Sequence, residues 1–257
     1  MILLNNNRII SYNDRLLSFD TIAPTPYGNI VTDNLFMELD ASNYTSGVWL
    51  DETVNGNNAT INGATWLSTD GGIFDFDGVN DTMTITHKTS FSLNTLTQRT
   101  VQAWVKFDAL PTGSNRMVIF GKLSSSFAFD GWWGGINSSS NAVIATNGSS
   151  ISKTSISTSG ITLNNWYLFT FISQITATAN TTKIYVNEAD YVSSFHGTDG
   201  YSESNNLTIG YLTPPLAGLG LVSYLNGKIG AVYFYTKGLS SAEISTNFNA
   251  TKSKYGL

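Results

Sequence analysis

From residue 31 onward, apolar residues return at every second position in short runs, and clusters of Gly, Asn and Ser cut the runs apart. A strand turns alternate side chains to opposite faces, so this period of two marks half-buried β-structure. "LFMELD" (35–40), "GIFDFDG" (72–78) and "DTMTITH" (81–87) alternate in this way, the last placing Met83 and Ile85 on one face. "TVQAWVKF" (100–107) sets Val101, Ala103, Val105 and Phe107 on one face and Trp104 on the other. "RMVIFGK" (116–122), "SFAFDGWWGGI" (126–136), "AVIAT" (142–146), "WYLFTFIS" (166–173), "TKIYVNEADYVSSF" (182–195), "LTIGYL" (207–212) and "GKIGAVYFYT" (227–236) continue the series. Many short strands at this spacing predict an all-β fold, a two-sheet antiparallel sandwich.

One helix is signalled, near the C-terminus. In "GLSSAEISTNFNATKSKYG" (238–256), Ser240 is a good N-cap and Glu243, three residues on, completes a capping box. Leu239 and Ile244 form the staple around the cap, and Ile244 and Phe248 share a face. Lys252 and Lys254 suit the negative end of the helix dipole.

Residues 1–30 break the pattern. Ile9, Ile10, Leu16, Leu17 and Phe19 sit among polar residues, and the segment closes in the bend "APTPYGN". It reads either as a first strand with a connection or as an arm docking on another subunit or scaffold through those five residues. We take 1–30 as an arm and 31–257 as the sandwich domain, because apolar residues ahead of a proline break need a surface to cover them. The stretch 210–227 makes a similar demand: Leu212, Leu216, Leu219 and Leu221 sit in a Gly/Pro connection, where polar residues are usual. Both features favour a homo-oligomer or a docked subunit.

Charge and composition exclude several classes. Charged residues are 12% of the chain and the net charge is −5, with no cluster of Lys or Arg, so nucleic acid is not the expected partner. No apolar run approaches membrane-spanning length, and no stretch has the make-up of a signal peptide. There are no cysteines, hence no disulfide and no thiolate metal site. His87 and His196 have no partner at helical ligand spacing.

Four oxygen-bearing side chains crowd "FDFDGVNDTMTI" (74–85): Asp75, Asp77, Asn80 and Asp81. They could supply oxygens to calcium, but they do not follow the spacing of the calcium loop. The plainer reading is a tight turn opened by Asp77 and Gly78 and capped by Asn80 or Asp81. No cofactor is expected. Asp75 and Asp77 lie on one strand face, about 6–7 Å apart by strand rise, near the lower limit for inverting glycosidases. A sharp turn without a flanking acid in a cleft is a poor place for catalysis, and an enzyme is not expected. In "AFDGWWGGINSSSN", Trp132 and Trp133 must face opposite ways if extended. One of them, with Asn137 nearby, could be the exposed platform on which a sugar ring stacks; the alternative is that both close the core.

The ordered set of pieces resembles a concanavalin A-like sandwich of the laminin G-like type, a form common in bacteriophage virion proteins and bacterial adhesins. The resemblance covers roughly residues 33–257. "LFMELDASNYTSGVWLDETVNGNNATINGATW" resembles the opening strand and its Ser-Gly-x-Trp-x-Asp segment, and "FDFDGVNDTMTI" the phenylalanine-aspartate-glycine hairpin. "TVQAWVKF" resembles the central strand, "NNWYLFTFI" and "TTKIYVNEADYV" the paired strands, and "LTIGYL" with "YLNGKIGAVYFYTKGLSSAEISTNFNATKSKYG" the closing strands and helix. "YVNEAD" departs from the pattern, since such hairpins turn on Asn-Gly; a looser or longer turn is expected there. The resemblance implies a jelly-roll sandwich. It also implies a non-enzymatic virion surface protein, such as a head decoration, head fibre or tail appendage. The arm would hold it to other virion proteins, and the sandwich would meet host-surface glycans or stabilise the particle. A carbohydrate-binding lectin outside a virion is the alternative. A glycan hydrolase is disfavoured, because the paired glutamates of such enzymes, in a pattern like Glu-x-Asp-x-x-Glu, have no counterpart here.

Overall fold

A computed structural model describes residues 3–5, 8–12, 15–16, 29–92, 98–113, 115–123, 131–148, 151–156, 160–175, 180–196, 205–212 and 222–257. Two antiparallel sheets form the sandwich, as the alternation predicts. In the first sheet the strands run Ala189–His196, Asn180–Val186, Trp166–Ile175, Gln98–Phe107, Asn226–Tyr235, Ile73–Asp77 and Thr65–Leu67, and Leu35–Asp40 also pairs with Asn226–Tyr235. In the second they run Ile151–Ile156, Ala142–Gly148, Gly131–Asn137, Arg116–Leu123, Leu207–Ile209, Thr82–Ile85, Ala59–Asn62 and Val48–Trp49. Val222–Ser223 adds a short parallel pairing to Arg116–Leu123.

The inward faces meet as read from the sequence. Val101, Ala103, Val105 and Phe107 join Met37, Leu39, Phe74, Phe76, Met83, Ile85, Phe120, Trp132 and Phe234 in the central core. A second apolar layer lies on the outer face of the first sheet, under the helix. There Trp104 stacks on Phe248 and Tyr255, at ring separations of 5.8 and 4.3 Å, and Leu239, Ile244 and Tyr235 close around them. An 11-residue helix is marginal alone in water, so this packing holds it. Gly230 makes room for it: a Cβ there would lie 2.4 Å from the Tyr255 hydroxyl.

The helix spans Ser241–Thr251 and carries the expected capping box between Ser240 and Glu243. Its buried face holds a polar chain. Asn247 donates to Gln102 Oε1 (2.6 Å) and to the Tyr235 hydroxyl (2.9 Å), while Gln102 donates to Thr170 Oγ1 (2.8 Å). Asn247 Oδ1 in turn accepts from the Val31 backbone N–H, and Tyr235 donates to the Val31 carbonyl. Ile30 also packs against this layer, so residues 29–30 are part of the sandwich and an arm ends by residue 28. Within 1–28 the backbone strands Leu3–Asn5, Arg8–Tyr12 and Arg15–Leu16 form a separate antiparallel sheet. It contains Ile9, Ile10 and Leu16; Leu17 and Phe19 lie outside the described residues.

The hairpin at "YVNEAD" differs from the expectation of a looser turn. Val186 pairs with Ala189 across two residues, and Asn187 takes the left-handed conformation (φ 56°) that such a turn needs. The extra residue is absorbed one step along as a bulge between Ile184 and Tyr185. Glu188 stands where glycine is usual because its carboxylate accepts from Ser245 and Asn249 of the helix.

Candidate functional site

Neither tryptophan of the pair is a platform. Gly131–Asn137 is an interior strand, and its side chains do alternate as read, but both faces are covered. Trp132 is 2% exposed in the central core, with the Arg99 guanidinium 3.8 Å from its ring centre. Trp133 is 1% exposed on the opposite face, packed with Val118, Leu123, Val143 and Leu212. Asn137 is turned to its own hairpin, its Oδ1 accepting from the N–H groups of Ser139 and Asn141. Leu212 is thus buried against its own domain, while Leu216, Leu219 and Leu221 lie outside the described residues.

Three of the four side chains of the 74–85 hairpin act on the backbone or on a lysine, and Asn80 takes part through its backbone N–H. Asp77 Oδ1 accepts from the N–H groups of Val79 (2.8 Å) and Asn80 (3.3 Å), and Asp81 Oδ2 accepts from the Asp77 N–H (2.9 Å). Asp75 pairs with Lys228 at 3.2 Å, and Lys228 also meets Asp108. Among the described residues no group of three or more His, Cys, Asp or Glu could hold a metal ion. His87 Nδ1 lies 2.8 Å from Lys122 Nζ, with the His87 pKa lowered by burial and then by that lysine; the His196 side chain lies outside the described residues.

A different group of side chains, absent from the sequence reading, lines a cleft of about 340 Å³ on the helix side of the first sheet. That volume falls at the small end of ligand pockets. Its walls are the entry segment (Asn29, Thr32), the strand Leu35–Asp40 and the helix end (Thr251, Lys254). Met37 and Leu39 face the core, so the alternation turns Glu38 and Asp40 out into the cleft. Tyr233 is the cross-strand neighbour of Glu38, which puts their Cβ atoms about 5 Å apart.

The polar groups of this cleft differ in how they are satisfied. Asp40 Oδ1 accepts from Ser42 N–H (2.8 Å), Ser42 Oγ (2.7 Å) and Lys254 Nζ (2.5 Å), capping the turn Ala41–Asn43 and tying down the helix end. The Glu38 backbone is held on both sides, its N–H donating to Asp51 Oδ1 and its carbonyl accepting from Glu52. The Glu38 carboxyl is another matter. Burial, followed by the charges of Asp40, Glu52 and Asp51, pushes its pKa up to about 7, and among the described residues no hydrogen bond offsets that rise. Burial and the charges of Asp40 and Glu38 hold the Tyr233 phenol well above its ordinary range, again with no hydrogen bond in opposition among the described residues. Tyr233 is 1% exposed. The cleft therefore presents an acceptor and a donor side by side, neither bonded among the described residues.

The profile of the concanavalin A-like lectin/glucanases superfamily, in its laminin G-like form, matches residues 76–245. The chain belongs to this superfamily. Among curated proteins none matches it. Solved structures share the fold. A mutant Trypanosoma rangeli sialidase displaying trans-sialidase activity superposes with a TM-score of 0.65 at 17% identity, over 90% of this chain and 35% of that one. Botulinum neurotoxin type C, whose cell entry depends on interaction with two ganglioside molecules, gives 0.64 at 14% identity, over 85% and 51%. Domain 4 of a GH43 extracellular arabinanase from Geobacillus stearothermophilus, in complex with arabinotriose, gives 0.61 at 15% identity, over 84% and 98%. This superfamily chain thus spans about half of the toxin chain and about a third of the sialidase, but nearly the whole arabinanase domain.

Proposed function

We propose that this superfamily member is a non-catalytic, glycan-binding module of a bacteriophage particle. The cleft over Glu38 and Tyr233 seats the sugar, and the residues before Asn29 anchor the chain to other virion proteins. The observation that carries the binding reading is the acceptor–donor pair of Glu38 and Tyr233, unbonded among the described residues, since a sugar diol offers both a donor and an acceptor. Arabinotriose in the arabinanase domain and the gangliosides of the toxin have only saccharide in common, and that sets the ligand class. Glycan-array binding that is lost in Tyr233→Phe, which removes one hydroxyl, supports the seat; binding untouched by that change overturns it.

The non-catalytic part rests on Asp40. Glu38 and Asp40 are about 6.6 Å apart by strand rise, a spacing a hydrolase could use, and a raised carboxyl beside a second acid is the acid–base pattern. Asp40, however, is fixed by Lys254 and Ser42, so it is held to a structural task. Polysaccharide turnover abolished by Glu38→Gln would establish the hydrolase instead.

The virion placement is supported by the small sheet within residues 1–28, which pairs with neither sheet of the sandwich, and by the resemblance to virion modules. Removal of residues 1–28 is expected to abolish incorporation into particles while far-UV circular dichroism stays that of a folded sandwich. Incorporation of the shortened chain would remove the anchor. A soluble lectin outside a virion would keep its glycan binding and show no particle partner.

A further inference from the structure

We propose that the cleft selects saccharides with a free amine, the ammonium seated against Glu38 and a neighbouring ring hydroxyl accepting from Tyr233, and that it rejects sialic and uronic acids. This rests on the binding reading above and names the ligand within it.

The argument is one of charge and partners. Two carboxylates, Glu38 and Asp40, line the seat, and the charges of Glu52 and Asp51 also reach Glu38. Lys254 is the one cation among the described lining residues, and it is paired with Asp40. Lys237 is held by Asp33 and Glu243, and Lys252 donates to Asn249. Glu38 thus faces Tyr233 from the adjacent strand, Asp40 from its own, and Lys254 with Tyr255 from the helix end, without a cation of its own among them. A carboxylate in partly buried surroundings with like charges nearby is stabilised most by a positive group brought to it. A sugar carboxylate brought to the same place meets repulsion with no arginine or lysine to receive it.

Charge alone would leave only an acidic patch; Tyr233 adds a second, independent pointer. Its ring is 1% exposed and lines the cleft, and its hydroxyl has no hydrogen bond among the described residues. A hydroxyl that opens into the cleft on a buried ring, without a protein partner among the described residues and beside a carboxyl in the same state, marks a place for a ligand with both an amine and a hydroxyl. Adjacent amine and hydroxyl groups on a sugar ring have that arrangement.

Calorimetry at pH 7 with a glucosamine trisaccharide, its N-acetylated counterpart and sialyllactose tests this on the full chain. The amine-bearing sugar should bind at least tenfold more tightly than the acetylated one, and sialyllactose should not bind. Glu38→Gln should erase the tenfold preference, and Tyr233→Phe should weaken both of the first two sugars. Affinity for the amine sugar should rise from pH 5.5 to 7 as Glu38 ionises, and Glu38→Gln should flatten that rise. Equal binding of the acetylated sugar, or binding of sialyllactose, that is still lost in Tyr233→Phe overturns the amine selection and keeps the seat. Failure of all three sugars, or indifference to both variants, overturns the seat as well.

Discussion

Strand Asn226–Tyr235 carries two acid-bearing neighbours along one length. Its first half pairs with Ile73–Asp77, whose hairpin holds Asp75, Asp77 and Asp81; its second half pairs with Leu35–Asp40, which holds Glu38. In the hairpin each carboxylate answers a donor that the backbone or Lys228 presents. Further along the same edge of that strand the carboxyl of Glu38 answers no donor among the described residues, and the phenol beside it has no partner there either. The hairpin is denser in acids, and the sequence reads it as a tight turn with calcium as the sharper alternative. What separates the two regions is whether each polar group already has its partner, a condition that residue type and spacing do not express.

The sharpest way to break the contrast is at Gly63. Its φ is +93° and a Cβ would sit 2.0 Å from Asp81 Oδ1, so Gly63→Ala combines backbone strain with displacement of a buried carboxylate. We expect a loss of about 3 kcal/mol, a fall of about 9 °C in Tm for a chain of this size. A Tm within 2 °C of the parent would show that the hairpin acids are not structural. Asp81→Ala comes next, leaving the Asp77 N–H without its acceptor, at about 2 kcal/mol. Asp81→Asn keeps an acceptor and sheds a charge that burial disfavours, so chemical denaturation should find it close to the parent.

Glu38 should behave in the opposite sense. Its pKa lies near 4.5 when unfolded and about 7 when folded, so the folded state holds the proton more tightly. That stabilisation is complete below pH 4.5 and is lost as pH climbs through 7. Glu38→Gln does not titrate there, so its stability relative to the parent should rise across that window, by about 2 kcal/mol after allowance for solvent reaching the carboxyl. Thermal scans from pH 4 to 8 that ran parallel for the two proteins would remove Glu38 from its unsatisfied position. The smallest effects belong to the hairpin surface. Asp75→Asn should change stability by less than about 1 kcal/mol, as partly exposed ion pairs do. Calcium or a chelator should move Tm by no more than about 1 °C; a calcium-dependent rise lost in Asp77→Asn would restore a metal to Asp75, Asp77, Asn80 and Asp81.

Much of this architecture was legible because its causes are local. The alternation at 100–107 set Val101, Ala103, Val105 and Phe107 inward and Trp104 outward, and the structure keeps both assignments. The Ser240–Glu243 box is a contact across three residues, so sequence spacing suffices to find it. The tryptophan pair was half legible. Adjacency guaranteed opposite faces, but whether the outer face was bare depended on Leu212, far along the chain. Glu38 and Asp40 show only the first half of a Glu-x-Asp-x-x-Glu pattern, and the pairing of Glu38 with Tyr233 gave no local signal, the two being about two hundred residues apart and joined only by strand register.

By itself the sequence determined the β-sandwich, the face each strand turns inward and the capped helix, because period and capping arise between residues a few positions apart. Tertiary structure decided which polar groups find partners. Asn247 is bound to Gln102, Tyr235 and Val31, and Asp40 to Lys254, while Glu38 and Tyr233 are left facing a cleft. Hydrogen-bond satisfaction depends on contacts made across the whole chain, and no window of sequence contains them.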